Sequence, residues 1–349
     1  MKNTASVEYK GAAKVEAGIK DKLSIWDKLR HKFVNRYFWV RFIVAIFKYL
    51  LLFGLCFLIL YPLFIRFITS IMSADDFRDA MVNFIPRNPT LYNFRRVIQH
   101  SNYWQALLNT IFISMMAGGI QMFICAMVGY GLARFKFKGR RLVTALVVVT
   151  IMVPPQAFMA SLFLRMRFFD IYGIIGFFGS RIVEDFEINL LNTPMPIVIL
   201  SATGFAFMNG IFIYIMRQFF KGMPDELEEA AYVDGAGPLR TFFKVMLPLS
   251  TAMMATIAIL AFAWQWTDTL YSPMFFPTFA NFPVLSQAAL RGFQGMVVTG
   301  FMDGLAGGQD LLAAFGNAMT LLIIVPLLFI YLFAQRSLVE GIERAGIVG

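Results

Sequence analysis

Residues 104–132 read WQALLNTIFISMMAGGIQMFICAMVGYGL, and residues 133–141, which follow them, read ARFKFKGRR. The first stretch is long enough to cross a bilayer as a helix, which needs about 20 mostly apolar residues. The second stretch holds five Lys and Arg residues and no acidic residue. Another apolar stretch follows near residues 142–164. Because short cytoplasmic loops carry the excess of Lys and Arg, the pattern predicts a membrane hairpin closed on the cytoplasmic side.

Further apolar stretches flank this hairpin on both sides, and the overall composition agrees with a membrane protein. Of the 349 residues, 58% are hydrophobic and 15% are charged, and the mean hydropathy is +0.66. This mix nearly excludes a soluble globular enzyme. We therefore predict an all-α membrane protein with six transmembrane helices. The predicted spans lie near residues 42–65, 104–132, 142–164, 196–216, 249–270 and 311–333.

The distribution of positive charge predicts the orientation of the spans. Residues 1–41 form a basic extension with ten Lys and Arg residues, which places the N-terminus in the cytoplasm. Fewer Lys and Arg residues occur in the segments 67–103, 165–195 and 271–310, which hold four, three and one of them. We therefore expect these segments to face outward. Six spans in residues 42–349 then return the C-terminus to the cytoplasm. The formal net charge of +10 is therefore interpreted as an orientation signal and not as a sign of nucleic-acid binding.

Residues suited to catalysis or metal binding are few in this sequence. Cys56 and Cys125 lie in apolar runs, His31 lies in the basic extension and His100 lies in an outer loop. An intramembrane hydrolase would need a nucleophile with its base, or a cluster of metal ligands. We predict no catalytic residue, no metal site and no cofactor in this chain, which also has no G-x-x-x-x-G-K-[ST] phosphate loop.

The fourth connection, residues 217–248, is more patterned than a simple linker. Within it, Pro224 is typical of the first position of a helix. Leu227, Ala230 and Ala231 then fall on one helical face, where small alanines permit close approach by another surface. The pattern predicts a short helix.

A turn and a second short helix follow in the same connection. The segment DGAGP at residues 234–238 has turn chemistry, because Gly235 can adopt a positive φ. Pro238 can begin the next helix, predicted over residues 239–247 and ended by Pro248. Two helices joined by a glycine turn form a rigid protrusion suited to docking a partner. A surface hairpin that merely connects two spans is the alternative.

The sequence EAA at residues 229–231, Gly235 and the run VMLP at residues 245–248 resemble the EAA loop of bacterial ABC importer permeases. The family pattern is Glu-Ala-Ala, three positions, Gly, nine positions, Ile-x-Leu-Pro. The spacing matches in full, and Val245 in place of Ile is the one departure. The run WQWTD at residues 264–268 and the tail from Gln335 resemble the MalG-like branch of carbohydrate importers. The resemblance covers the chain from about residue 42 to its end.

This resemblance implies the type I ABC importer fold and a transport subunit that is not itself an enzyme. ATP and Mg²⁺ would be held by a separate nucleotide-binding subunit, whose cleft receives the EAA loop. Glu229 would make a charged contact there, the alanines would pack closely, Asp234 would cap or brace the turn, and Gly235 would set the angle between the helices. The residues assigned to ATPase coupling are Glu229, Ala230, Ala231, Asp234, Gly235, Ala236 and Pro248.

The resemblance also implies partners and a location. They are a second related permease chain, two ATPase subunits, an extracytoplasmic solute-binding protein and membrane lipid, in the bacterial inner membrane. The substrate would be a sugar or oligosaccharide, with glycerol phosphate, a polyol or another small polar solute as the alternative. Residues 271–310 are the candidate contact for the binding protein, unless they form a membrane-surface loop without that contact.

Polar side chains within the spans are candidates for the substrate pathway, because burying them in lipid is expensive. Trp264, Gln265 and Trp266 supply aromatic faces and an amide within one turn. Any of these polar groups could instead hydrogen-bond a neighbouring helix. The pathway candidates are Asn109, Asn209, Trp264, Gln265, Trp266 and Asp268, with Gln121 and Gln156 as further polar positions in the spans.

Two other classes of membrane protein are the alternatives to an importer. A channel or secondary transporter would usually show intramembrane ionisable residues or a clear inverted repeat, and the sequence shows few of the first and none of the second. A structural membrane subunit would explain the spans but gives no reason for the EAA pattern.

Overall fold

The structure is a computed structural model that describes residues 36–79, 81–82, 84–170, 188–278, 281–288 and 308–347. The predicted extension 1–41 is therefore described from residue 36 onward, and residues 289–307 of the predicted outer segment lie outside the described residues. The chain divides into two compact units, residues 1–65 and 66–349.

The described residues are predominantly helical, as the sequence predicts. Among them, one isolated antiparallel bridge joins Phe169 and Ile188. We number the helices α1 Arg36–Ser70, α2 Ala74–Arg78, α3 Tyr92–His100, α4 Tyr103–Arg134, α5 Arg140–Met152, α6 Met159–Arg167, α7 Met195–Thr203, α8 Asn209–Gly222, α9 Glu226–Val233, α10 Pro238–Leu249, α11 Thr251–Trp266, α12 Tyr271–Phe275 and α13 Gly308–Ile347.

Three helices, α1, α4 and α13, are each long and apolar enough to cross a membrane. They correspond to the predicted first, second and sixth spans. The sixth is much longer than the predicted 311–333, because the helix continues through the polar tail to Ile347. Within the described residues, the number of spans rises to at most five if each of two bent helix pairs counts as one. The predicted total of six spans stays a prediction.

The predicted third span is not a continuous helix. Helix α5 ends at Met152, a 3₁₀ turn covers Pro155–Phe158, and α6 leaves at 97° to the direction of α5. Pro154 and Pro155 explain the break, because proline has no backbone N–H to donate and its ring clashes with the preceding turn. The predicted span near 142–164 is therefore interrupted at the two prolines that the sequence places inside it.

The predicted fourth span is also interrupted. Helix α7 ends at Thr203 and α8 begins at Asn209, so residues 204–208 separate two half-length helices. Gly204 and Met208, at the two sides of the gap, have φ values of 80° and 68°. These left-handed conformations cannot continue a right-handed helix. A single helix over 196–216 was therefore a wrong prediction.

Helix α4 lies at the centre of the second unit and contributes to three buried clusters. The first cluster joins α4 to α8, α10 and α11, the second joins it to α3, α11 and α13, and the third joins it to α7 and α12. Small residues allow the close contacts that membrane helices use. A Cβ added at Gly118 would lie 3.0 Å from the carbonyl oxygen of Ala258 in α11. The core is therefore built around this one helix.

Candidate functional site

The EAA loop folds as a helical hairpin, residues 226–249, which we call the EAA hairpin. Its first helix, α9, begins at Glu226, and the carbonyl of Asp225 accepts hydrogen bonds from the amides of Glu228 (3.0 Å) and Glu229 (3.1 Å). The sequence predicted Pro224 at the first position of this helix. In the structure, Pro224 lies two residues before the helix begins. Acidic residues fill the first turn, where they stabilise the positive end of the helix dipole.

The turn between the two helices satisfies its own backbone groups. Gly235 has a φ of 76°, the left-handed conformation that its predicted turn position requires. The Gly235 amide donates to the Tyr232 carbonyl (3.0 Å), and the Ala236 amide donates to the Ala231 carbonyl (2.9 Å). These two bonds form a Schellman motif, which closes a helix C-terminus. The hairpin therefore has a fixed bend between its helices.

The second helix of the hairpin, α10, begins at Pro238, as predicted. It continues through a π-helical turn at Phe242–Met246 and ends at Leu249, so Pro248 lies inside its last turn and does not end it. Phe242 and Met246 are buried against the core. The axis then turns by 76° into α11. The hairpin is thus packed on the membrane helices through α10.

The outward surface of the EAA hairpin contains most of the predicted coupling residues. Glu229, Ala230, Asp234 and Gly235 are exposed, and Ala236 is half-buried. Ala231 is 8% exposed, so it packs within this chain and leaves Ala230 as the outward alanine of the motif. Beside these residues the surface also exposes large apolar side chains, which a docked partner would cover: Val233, Leu239 and Phe243.

Arg134 at the end of α4 is a site residue that the sequence analysis passed over. Its guanidinium forms ion pairs with Asp225 and Glu228 and donates to the carbonyl of Met223 (2.6 Å). The sequence showed Arg134 as one of the basic residues in the loop 133–141. Its partners lie about 90 positions further along the chain, so spacing alone gave no signal.

A second candidate site is a small pocket beside the C-terminal end of α11. The structure brings three of the predicted pathway residues to it, namely Trp264, Gln265 and Asp268. The Trp264 ring stands edge-on to Phe207 with ring centroids 5.1 Å apart, and Trp264 is 44% exposed. The complete lining is Gln121, Ile197, Leu200, Ala206, Phe207, Trp264, Gln265, Asp268 and Tyr271.

Asp268 shapes this pocket by holding the start of α12. Its carboxylate accepts hydrogen bonds from the backbone amides of Leu270 (2.9 Å), Tyr271 (3.0 Å) and Ser272 (2.6 Å), and from the Ser272 hydroxyl (2.8 Å). Burial raises the pKa of the neighbouring Tyr271 hydroxyl, and the Asp268 charge raises it further. Tyr271 is therefore a neutral hydroxyl at physiological pH.

The other predicted pathway residues bond to neighbouring parts of this chain. The Asn109 amide donates to the carbonyl of Pro283 (2.9 Å), and the buried Asn209 amide donates to that of Ser201 (3.4 Å). The Trp266 indole, 1% exposed, donates to the carbonyl of Ile323 in α13 (3.1 Å). The Asn209 and Trp266 bonds join two helices, as in the alternative given by the sequence, whereas Asn109 bonds to a residue outside the numbered helices.

Five pocket residues were not singled out from the sequence, among them the aromatic residues Phe207 and Tyr271. Phe207 lies in the break between α7 and α8, where the sequence predicted a continuous helix. The Oε1 atom of Gln121 is buried and has no hydrogen-bond partner within the described part of the chain. A larger cavity of about 310 Å³ lies nearby, lined by the breaks in both interrupted spans.

The described residues contain no group of three or more His, Cys, Asp or Glu side chains placed to hold a metal ion. The two candidate sites in the described part of the chain are the EAA hairpin and the aromatic and amide pocket. Neither arrangement offers a nucleophile with a base.

Comparison with known families identifies the chain. The family described as "Binding-protein-dependent transport system inner membrane component" matches residues 124–344, which is more than half of the chain and includes the whole EAA hairpin. The chain belongs to this permease family. Its predicted membership of the ABC importer permeases is confirmed.

Individual relatives are permeases of transport systems for sugars and related solutes. The permease is 30% identical over 264 residues to the alpha-glucoside transport system permease protein AglG of Rhizobium meliloti, covering 76% of this chain and 62% of that protein. It is 28% identical to the arabinooligosaccharides transport system permease protein AraQ of Halalkalibacterium halodurans, covering 76% and 82%. It is 24% identical to the sn-glycerol-3-phosphate transport system permease protein UgpE of Salmonella choleraesuis, covering 81% and 90%.

A solved structure supports the fold. The permease resembles one chain of a bacterial ABC transporter involved in the import of the acidic polysaccharide alginate, with a TM-score of 0.63. The match covers 84% of this chain and 96% of the other at 24% identity. The predicted all-α importer permease fold is thereby confirmed. Members of this family are transport subunits embedded in the membrane, without catalytic activity of their own.

Proposed function

We propose that this permease forms part of the translocation pathway of an ABC importer for a neutral sugar or oligosaccharide. Separate subunits would bind ATP and Mg²⁺ and drive transport through the EAA hairpin. The observation that carries the proposal is the geometry of this hairpin. It is fixed by a Schellman turn, anchored through α10, and presents Glu229 and Ala230 outward beside exposed apolar residues.

The proposed assembly contains a second, related permease chain, two ATPase subunits and an extracytoplasmic solute-binding protein. It lies in the bacterial inner membrane, with both termini and the EAA hairpin in the cytoplasm. The outer segment 271–310 would contact the binding protein. Family membership supports this assembly, because these inner membrane components serve binding-protein-dependent systems.

The chemistry of the pocket favours a neutral sugar over an anionic solute. Sugars present apolar ring faces and hydroxyl groups, and the Trp264–Phe207 pair with the Gln265 amide offers contacts to both at the mouth of this pocket. The enclosed volume of about 20 Å³ would not itself admit a sugar ring. The pocket lining contains no Lys or Arg and includes the carboxylate of Asp268. Phosphate recognition normally uses such cations. Glycerol 3-phosphate is kept as the second candidate because the relative UgpE is a permease for it.

Co-purification and ATP hydrolysis test the proposed function. The permease would be isolated from its native membrane in mild detergent, its stoichiometric partners identified, and the binding protein added with one solute at a time. The solutes are an α-glucoside, an arabino-oligosaccharide, glycerol 3-phosphate and an alginate oligosaccharide. We expect ATPase subunits and a second permease, and stimulation of hydrolysis by a neutral sugar. A lone chain, or a complex that does not hydrolyse ATP, contradicts the importer. Stimulation by glycerol 3-phosphate alone selects the second candidate.

The pocket assignment has its own test, which uses the stimulating solute from that experiment. Trp264→Ala removes the exposed aromatic face and should reduce uptake of a neutral sugar about tenfold, since stacking contacts of this size contribute about 1–1.5 kcal/mol. Phe168→Ala is the matched control, because Phe168 is also exposed but does not line the pocket. Equal uptake by the parent and Trp264→Ala would remove this pocket from the pathway.

A further inference from the structure

Helix α4 ends at Arg134, whose cationic side chain is buried. The side chain of Arg134 is 7% exposed, although it opens a loop whose other basic residues are almost all exposed. A buried charge is costly unless it is paired and hydrogen-bonded. The partners of Arg134 therefore indicate why the charge is held at this position.

Three contacts of Arg134 converge on the entrance to the EAA hairpin. The guanidinium donates to the carbonyl of Met223 (2.6 Å), pairs with Asp225, and places Nε 3.5 Å from Oε1 of Glu228. Glu228 is itself 12% exposed, whereas Asp225 is 80% exposed. The Arg134–Glu228 pair is thus the buried part of the cluster, and Asp225 forms its rim.

These contacts hold the first turn of α9. The Asp225 carbonyl accepts the amides of Glu228 and Glu229, so the residues that Arg134 binds also start the helix that contains the EAA sequence. One turn earlier in α4, Tyr130 packs against Phe242 of α10, with ring centroids 4.8 Å apart, and against Phe220 of α8 at 5.4 Å. Helix α4 therefore contacts both helices of the hairpin, one by charge and the other by aromatic packing.

Chain connectivity joins the EAA hairpin to α8 and α11 but not to α4. Yet α4 is the helix that contributes to all three buried clusters, including the one beside the Trp264 pocket. A displacement of the hairpin that reaches α4 is passed to the whole core. Among the described helices, α8 contributes to one of these clusters and α11 to two, so a displacement passed through them alone does not act directly on the third.

We propose that Arg134 is a positioning residue for energy coupling, which joins the first turn of the EAA hairpin to α4 so that the two move as one body. This inference rests on the proposed function, in which a partner ATPase displaces the hairpin. Arginine suits the task because its planar guanidinium can bind a carbonyl and two carboxylates at once. Lysine would keep the charge but lose the fixed geometry.

The test uses the complete importer, purified with its ATPase subunits and binding protein, with MgATP as the probe. Arg134→Gln removes the charge, and Arg134→Lys preserves it. The pair Arg134→Glu with Glu228→Arg reverses the ion pair. Arg141→Gln is the matched control, since Arg141 is an exposed cation of the same loop. Three quantities are measured for each variant: the amount of ATPase subunit retained, and the kcat and KM for MgATP.

We expect Arg134→Gln to retain its ATPase subunits and its KM for MgATP, while kcat falls about tenfold. Arg134→Lys should be intermediate, and Arg141→Gln should match the parent. The reversed pair should regain part of the lost kcat, because it restores the buried pair but not the contacts with Met223 and Asp225. A merely structural role would lower assembly and kcat together. Parental kcat in Arg134→Gln, or failure of the reversed pair to recover in an assembled complex, overturns the inference. If the parent complex itself lacks ATP hydrolysis, the proposed function has failed instead.

Discussion

Gly129 lies where α4 meets α8, at a contact that leaves no room for a side chain. A Cβ at this position would lie 2.6 Å from the Met216 Cβ and 2.9 Å from the Arg217 backbone nitrogen. Gly129→Ala should therefore push the helices apart and lower stability by about 1–3 kcal/mol. The measurement is the thermal unfolding midpoint of the detergent-purified permease. Gly119→Ala, with nothing within 4 Å of its added Cβ, should leave the midpoint unchanged or raise it. Equal midpoints for both variants would show that this contact can relax.

Glu229 is the residue of the EAA motif whose charge is outward and accessible. We expect Glu229→Ala to lower the ATP hydrolysis of the assembled importer about thirtyfold, because losing one partner of a buried interfacial ion pair typically costs about 2 kcal/mol or more. Expression in the membrane should be unchanged, since Glu229 is exposed. Glu226→Ala is the control, as Glu226 is an exposed acid of the same helix turn. Hydrolysis and transport at the parental rate would remove Glu229 from the coupling contact.

At the scale of elements, the turn of the EAA hairpin depends on one backbone conformation. Gly235→Ala forces a residue with a Cβ to a φ of 76°, which costs about 1 kcal/mol. Local opening of the Schellman motif should become about fivefold more frequent, seen as faster amide hydrogen exchange at residues 235–236. Gly237→Ala should not accelerate exchange, because Gly237 has a φ of −75° and open space around it. The same exchange rate in both variants would mean that the turn does not depend on glycine.

Local chemistry explains which elements the sequence could predict. The helix start at Pro238 and the turn at Gly235 depend on residues within one turn of each other, and both were predicted. The break at Pro154 had a visible cause, but hydropathy favoured continuity. The left-handed Met208 has no sequence signal, since only the tertiary packing holds a non-glycine residue in that conformation.

Side-chain direction and distant contacts were harder to predict than the elements. Trp264 and Trp266 are two positions apart on a helix, which places them about 200° apart around its axis. One therefore faces the pocket and the other the core, and the sequence WQW does not say which. Arg134 finds its carboxylates about 90 positions away, which periodicity cannot reveal.

At the scale of the whole molecule, the proposed orientation can be measured by labelling single cysteines. With Cys56 and Cys125 replaced by alanine, Lys136→Cys lies in the basic loop and Asn88→Cys in a predicted outer segment, and both positions are exposed. A membrane-impermeant maleimide should label Asn88→Cys on intact cells and Lys136→Cys only after permeabilisation. The reverse pattern would invert the orientation and place the EAA hairpin outside.

The two interrupted helices have a consequence for the inside of the membrane. A helix that stops leaves its last carbonyl groups without intrahelical partners, and acyl chains offer them none. Here both breaks line one cavity of about 310 Å³, whose walls are mostly apolar and include the polar side chains of Thr150 and Tyr271. We expect ordered waters only beside the freed carbonyls, because a buried water needs about two to four polar partners. A solute passing this point would therefore meet an apolar wall with a few wet positions at the two breaks.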